Sequence, residues 1–106
     1  MAMAEELVQR QLRVTNPEGL HARPAAELVR LANLFQSRIE LIKAGQRVDA
    51  KSIIDLMTLA ATPGTELVLE VRGSDSQAAA DAIEKLFLEM RDVEADPDTG
   101  WKSNAG

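Results

Sequence analysis

Apolar and polar residues recur along this chain with two periods, and the switches between them outline a fold. From Leu7 to Thr15 the period is that of a strand. Val8, Leu12 and Val14 share one face, Gln9, Gln11 and Arg13 the other, and Arg10 breaks the alternation. Asn16-Pro17-Glu18-Gly19 signals a turn. From Ala22 to Phe35 the spacing becomes helical, with Ala25, Leu28, Val29, Ala32 and Phe35 in one stripe. Leu31 and Leu34 fall off that stripe, so one or both are expected to be partly exposed.

The strand period returns from Arg38 to Ile42, where Ile39 and Leu41 face one way. Ala44-Gly45-Gln46 turns the chain into a short strand around Arg47 to Ala50. Ser52-Ile53-Ile54-Asp55 has the form of a capping box and predicts a short helix to about Leu59. Thr62-Pro63-Gly64-Thr65 is a strong turn signal. After it, Leu67, Leu69 and Val71 alternate with Glu66, Glu70 and Arg72, Val68 being the exception. Ser74 with Gln77 predicts a capped last helix whose buried face is Ala79, Ala82, Ile83, Leu86, Phe87 and Met90. The order β-α-β-β-α-β-α, with amphipathic strands, predicts an α+β domain whose sheet has one face covered by helices and one face wet. Past Arg91 the pattern stops. Residues 1–91 are expected to form one domain and residues 92–106 an acidic, flexible tail.

Composition adds bounds. A chain of 106 residues suits one small domain. Phe35, Phe87 and Trp101 are its aromatic residues, so the core must be aliphatic, and Trp101 falls in the tail with no assigned role. The absence of cysteine excludes disulfides and a thiolate zinc site, and points to a reducing cytoplasm. No metal or cofactor is expected. No stretch approaches the length of a membrane span, and the first residues lack the basic start and apolar run of a secretory signal. A net charge of −5 argues against nucleic-acid binding. Much of that charge lies in the tail, where Asp92, Glu94, Asp96 and Asp98 stand against Lys102.

The candidate chemistry is at Gly19-Leu20-His21-Ala22-Arg23-Pro24-Ala25-Ala26, which holds the single histidine at a predicted helix start. Amide N–H groups in a first helical turn point out of the helix end and favour an anion there. The helix dipole adds roughly 0.3–1 kcal/mol in the same sense. Arg23 brings a planar fork suited to phosphate oxygens. Pro24 is tolerated in a first turn because its missing N–H would have had no acceptor in the helix. Histidine is a competent nucleophile for covalent group transfer. One histidine and no cysteine leave little material for a stand-alone enzyme.

Gly19–Ala25 resembles the active-site signature of HPr, the histidine-containing phosphocarrier family of the bacterial sugar phosphotransferase system. Lys51-Ser52-Ile53-Ile54-Asp55-Leu56-Met57-Thr58-Leu59-Ala60 resembles the regulatory-serine region of the same family, at the family's spacing. The resemblance covers about residues 7–90. It implies an open-faced sandwich with a four-stranded antiparallel sheet, order 1-4-2-3, under three helices. It implies that His21 accepts a phosphoryl group on Nδ1 from phospho-enzyme I and passes it to EIIA-type domains, with Arg23 neutralising the phosphoryl oxygens.

By the same resemblance Ser52 is the target of an HPr kinase/phosphorylase, whose product signals to a transcriptional regulator. From the residues alone Ser52 is a helix N-cap worth about 1 kcal/mol. The two readings are compatible, because a phosphate at a helix N-terminus is locally favourable. Ile53 and Ile54 cannot both point inward on a helix. With Ala26 and Met57 they correspond to the apolar patch that partners of the family cover, and Arg30 is expected to add a basic rim. Asp55 departs from the lysine that enteric members tend to carry, which reduces complementarity to acidic partner surfaces. A monomeric cytoplasmic carrier is the expectation. The alternative is an HPr-like regulatory module in carbon or nitrogen signalling, not coupled to sugar uptake.

Overall fold

In the computed structural model the described residues are 6–15 and 17–93, with the side chains of residues 90–93 excepted. The strand-period segments form β1 (Glu6–Arg13), β2 (Arg38–Lys43), β3 (Gln46–Asp49) and β4 (Glu66–Gly73). The helical segments form α1 (Ala22–Ala32), α2 (Ile53–Thr58) and α3 (Ser76–Val93). The strands make one sheet in the order β1-β4-β2-β3, with every neighbouring pair antiparallel. Both the element order and the strand order implied by the resemblance are therefore present.

The alternation decides which face of each strand is buried. Val8 and Leu12 of β1, Ile39 and Leu41 of β2, Val48 of β3, and Leu67, Leu69 and Val71 of β4 point at the helices. Leu28 of α1, Leu56 of α2 and Ile83 of α3 close that core from above, each with no exposed surface. Arg10 breaks the pattern because it shares the buried face but lies under the rim of α3. There its guanidinium meets Asp81 at 3.0 Å and Glu84 at 2.7 Å. The opposite face is polar: Arg47 bridges Glu40 and Glu70 at 2.8 and 2.6 Å, and Arg13 pairs with Glu66. The irregular Val68 sits on this open face, in register with Ile42 and Gln11. Arg47 holds the Glu70 carboxyl below its ordinary range by donating a hydrogen bond to it.

Element ends and caps differ from the sequence expectation in several places. Helix α1 ends at Ala32 rather than Phe35. Beyond it the bonds shorten to the i→i+3 type (Leu34 N–H to Leu31, Phe35 N–H to Ala32), and the Asn33 side chain donates to the Val29 carbonyl. Leu34 is consequently 74% exposed and Leu31 half-buried. Helix α2 gains only half of the capping box. Ser52 Oγ accepts the Asp55 N–H at 3.2 Å, but the Ser52 N–H goes to the Asp49 carbonyl and the Asp55 carboxylate is 3.4 Å from the Asp49 N–H. Helix α3 starts at Ser76, and the Asp75 carbonyl accepts its first helical N–H, from Ala79, so Ser74 lies outside the helix. Gln77 serves β1 instead, donating to Glu6 and accepting from Arg10.

The buried face of α3 contains Ala79, Ala80, Ile83 and Phe87, with Ala82 and Leu86 half-buried. Ala80 is an addition to the expected stripe; the Met90 side chain is outside the described residues. The helix reaches Val93, two residues past the expected break. Residues 94–106, with Trp101, are outside the description. Among the described residues no helix is long and apolar enough to cross a membrane.

Candidate functional site

The site is assembled from two loops and the ends of two helices. Gly19 has φ +77°, and a Cβ there would stand 2.7 Å from the Ala61 carbonyl oxygen. Only glycine lets the β1–α1 loop approach the α2–β4 loop this closely. The contact is fixed by the Leu20 N–H, which donates to that same carbonyl at 2.8 Å. Leu20 is buried behind it. The next residue, His21, is thereby delivered to the surface at the N-cap of α1, in an extended conformation (φ −96°, ψ −166°).

His21 caps the helix with its backbone alone. Its carbonyl accepts the Ala25 N–H at 3.0 Å, and its imidazole makes no capping bond. The side chain is about one-third exposed. Nε2 is buried and lies 3.5 Å from Oε1 of Glu18, so the ring's exposed surface lies elsewhere than Nε2. The first turn of α1 carries no acid. No carboxylate on that turn therefore opposes the helix-end field, which favours an anion. Arg23 is exposed on this turn, and Pro24 is buried at its third position.

A shallow depression of about 280 Å³ joins this helix start to α2. Its lining is Glu18, Leu20, His21, Met57, Ala60, Ala61 and Thr62. Met57 is 43% exposed, and Ile53 and Ile54 on the same helix are 39% and 73% exposed, while Leu56 faces the core. Both isoleucines are thus outside the core, where the sequence required only one to be. Lys43 Nζ donates to the Leu59 carbonyl at 2.7 Å and holds the end of α2 against the sheet.

The structure brings some of the expected site residues together and separates others. His21 and Met57 share the depression, with Ile53 and Ile54 on the same short helix. Ala26 is half-buried on α1. Ser52 caps the opposite end of α2 from the His21 side, about 8 Å along the helix axis from Met57. Arg30 is nine residues beyond His21 and lines a different groove with Glu27, Leu34, Lys85 and Glu89, between α1 and α3. Asp55, half-buried, turns its carboxylate toward the Asp49 amide. The sequence reading missed Glu18, whose only signal was its position three residues before the histidine, and the Ala60–Thr62 wall, which a loop distant in sequence supplies.

Comparison with known proteins agrees with this geometry. The family described as "PTS HPr component phosphorylation site" matches residues 8–89. The phosphocarrier protein HPr of Treponema pallidum is 49% identical over 81 residues, covering 76% of this chain and 92% of that protein. The crystal structure of an HPr from Bacillus anthracis superposes with a TM-score of 0.73 at 39% identity, over 76% of this chain and 95% of that one. The crystal structure of Crh from Bacillus subtilis, described as a catabolite repression protein forming a domain-swapped dimer, gives 0.64 at 43% identity over 78% and 95%.

Proposed function

The chain belongs to the HPr family of phosphocarriers of the phosphotransferase system, and on that premise we propose that His21 is its phosphoryl-carrying residue. Proteins of this family carry the group and do not turn over a substrate alone. On this reading His21 receives the phosphoryl group from phospho-enzyme I and gives it to an EIIA-type domain. The observation that carries the reading is the orientation of the ring at the α1 N-terminus. Nε2 is buried beside Glu18, which supports the transfer through Nδ1 that the family resemblance implies. As the Nδ1–P bond forms, the bond between phosphorus and its donor breaks. The charge on the phosphoryl oxygens meets the α1 amides and Arg23. Such transfer needs positioning and charge more than a deep cavity, and the depression is shallow.

Partners would cover Ile53, Ile54 and Met57 together with Ala26, because their docking face must surround His21. Arg30 would touch only a partner wide enough to reach the α1–α3 groove. Ser52 is the proposed regulatory site. A phosphate added by an HPr kinase/phosphorylase at the α2 N-cap would place about two negative charges on the rim of that face. It would act on docking rather than on the His21 ring, from the far end of the helix. The cytoplasm is the proposed compartment and a monomer the proposed working state.

The Crh likeness supports a second reading, in which the chain is a regulatory module rather than a sugar-transport relay. One experiment tests the first reading. Incubation with enzyme I and labelled phosphoenolpyruvate is expected to give an acid-labile, base-stable adduct, lost in His21→Ala with the fold intact by circular dichroism. Retained labelling of that variant overturns the assignment, and failure of the native chain to label favours the regulatory reading.

A further inference from the structure

We propose that Glu18 is a positioning residue that keeps the His21 proton on Nε2. The inference rests on the reading of His21 given above, and gives Glu18, there only a neighbour of the ring, a part in the transfer. Glu18 precedes the histidine by three residues, and the turn at Gly19 folds its carboxylate back to 3.5 Å from Nε2. That nitrogen is buried in an environment where a carboxylate oxygen is an available acceptor. A neutral imidazole carries one N–H, and the acceptor facing each nitrogen decides which one holds it. An anionic acceptor beside Nε2 selects the Nε2–H tautomer. The Nδ1 lone pair is then the nucleophile. The arrangement has the logic of a carboxylate that orients a histidine for catalysis. The resting distance is longer than a hydrogen bond, as is common before a reacting partner closes on such a site.

The same contact serves both halves of the transfer. When Nδ1 takes the phosphoryl group while Nε2 keeps its proton, the ring becomes a cation, and Glu18 is the charge that faces it. When the Nδ1–P bond breaks, its electron pair returns to Nδ1. The leaving group is then neutral imidazole, because the Nε2 proton never left. Without that proton the leaving group would be an imidazolate, a far worse one. The carboxylate lies on the Nε2 side, whereas the α1 amides and Arg23 provide the positive field for the phosphoryl oxygens. Glu18 is 71% exposed, so replacing it should not disturb the core.

The test uses the full chain, its Glu18→Ala and Glu18→Gln variants, and ring ¹⁵N shifts of His21 at a pH where the imidazole is neutral. The native chain is expected to show the Nε2–H tautomer alone. Glu18→Ala should drift toward the mixture of free imidazole, and Glu18→Gln, which keeps an acceptor oxygen, should restore the native tautomer. Phosphoryl acceptance from enzyme I should slow in Glu18→Ala on the order of tenfold to a hundredfold, the range that orienting partners of metal-bound histidines carry. Glu18→Gln should fall between, because it orients without charge. Identical ¹⁵N shifts in native and Ala chains overturn the proposal, as does an unchanged acceptance rate. If Glu18 governs the tautomer but no chain takes the phosphoryl group, the relay reading fails and the positioning contact stands.

Discussion

The starts of α1 and α3 are built from the same opportunity and use it oppositely. At each, a polar side chain sits where a helix leaves outward-facing amides. At α3 the residue is Asp75, and its carboxylate is committed to the loop between α1 and β2. It accepts the Ser37 and Gln36 amides at 2.9 Å each and the Ser37 hydroxyl at 2.6 Å. These bonds hold the carboxyl below its ordinary value and fasten the α1–β2 loop to the end of β4. At α1 the residue is His21, which caps with its backbone only, its ring making no capping bond and lying beside Glu18 instead. A helix terminus can thus be a staple, as Asp75 is, or on the proposed reading a reaction site, as His21 is.

The sharpest way to break this comparison is to exchange losses. His21→Ala should remove phosphoryl acceptance entirely and leave the urea midpoint unchanged. Asp75→Asn should do the reverse, keeping acceptance and lowering the midpoint. A His21 variant that unfolds early would make both ends staples.

The pH dependence of the second variant sharpens the point. The folded-state pKa of Asp75 is depressed, so its stabilisation is full well above the ordinary carboxylate value of 3.8. It erodes as the unfolded state protonates near that value and is gone once the pH falls through the folded pKa. The midpoint difference between native chain and Asp75→Asn should therefore shrink on acidification below about pH 4–5. A constant difference would show that charge plays no part. Glu70, lowered by Arg47, contributes in the same direction and keeps the variant's own curve from being flat.

A middle-sized effect is expected at Gly73, which ends β4 beside the staple. Its φ is +152°, and a Cβ there would meet Ser37 Cα at 2.7 Å. Gly73→Ala should cost about 1–3 kcal/mol by overpacking, read as a lower urea midpoint with transfer intact. The smallest effect is at the third helix start. Ser52→Ala should cost about 1 kcal/mol, and Ser52→Asp should recover most of it, since aspartate also caps. If Ser52→Asp also weakens enzyme I docking at equal stability, the capping and regulatory roles separate.

How much was legible beforehand varied with the range of the interaction. The two strand faces, the α1 stripe and the Gly19–Ala25 motif were read from period and local chemistry, because burial of a strand or helix face repeats along the sequence. Ser52 was read as a cap for the same reason. Ser74 was misread as one because the competing partners of Asp75 and Gln77 come from residues 36–37 and from β1, dozens of positions away. The end of α1 was misplaced by three residues, since nothing in Leu34 or Phe35 forbids a helix and the turn is imposed by the descent into β2. The placement of Arg30 away from the His21 depression was also invisible, as it depends on where α3 packs.

The sequence by itself determined the elements, the faces they bury and the presence of a histidine at a helix start, all of which follow from interactions a few residues long. Only the tertiary structure decided that Ala61 closes on Gly19, that Met57 shares a depression with His21, and that His21 Nε2 is buried beside Glu18. Those are consequences of one loop meeting another across the end of the sheet. The order of strands sets that meeting, and no local pattern records it.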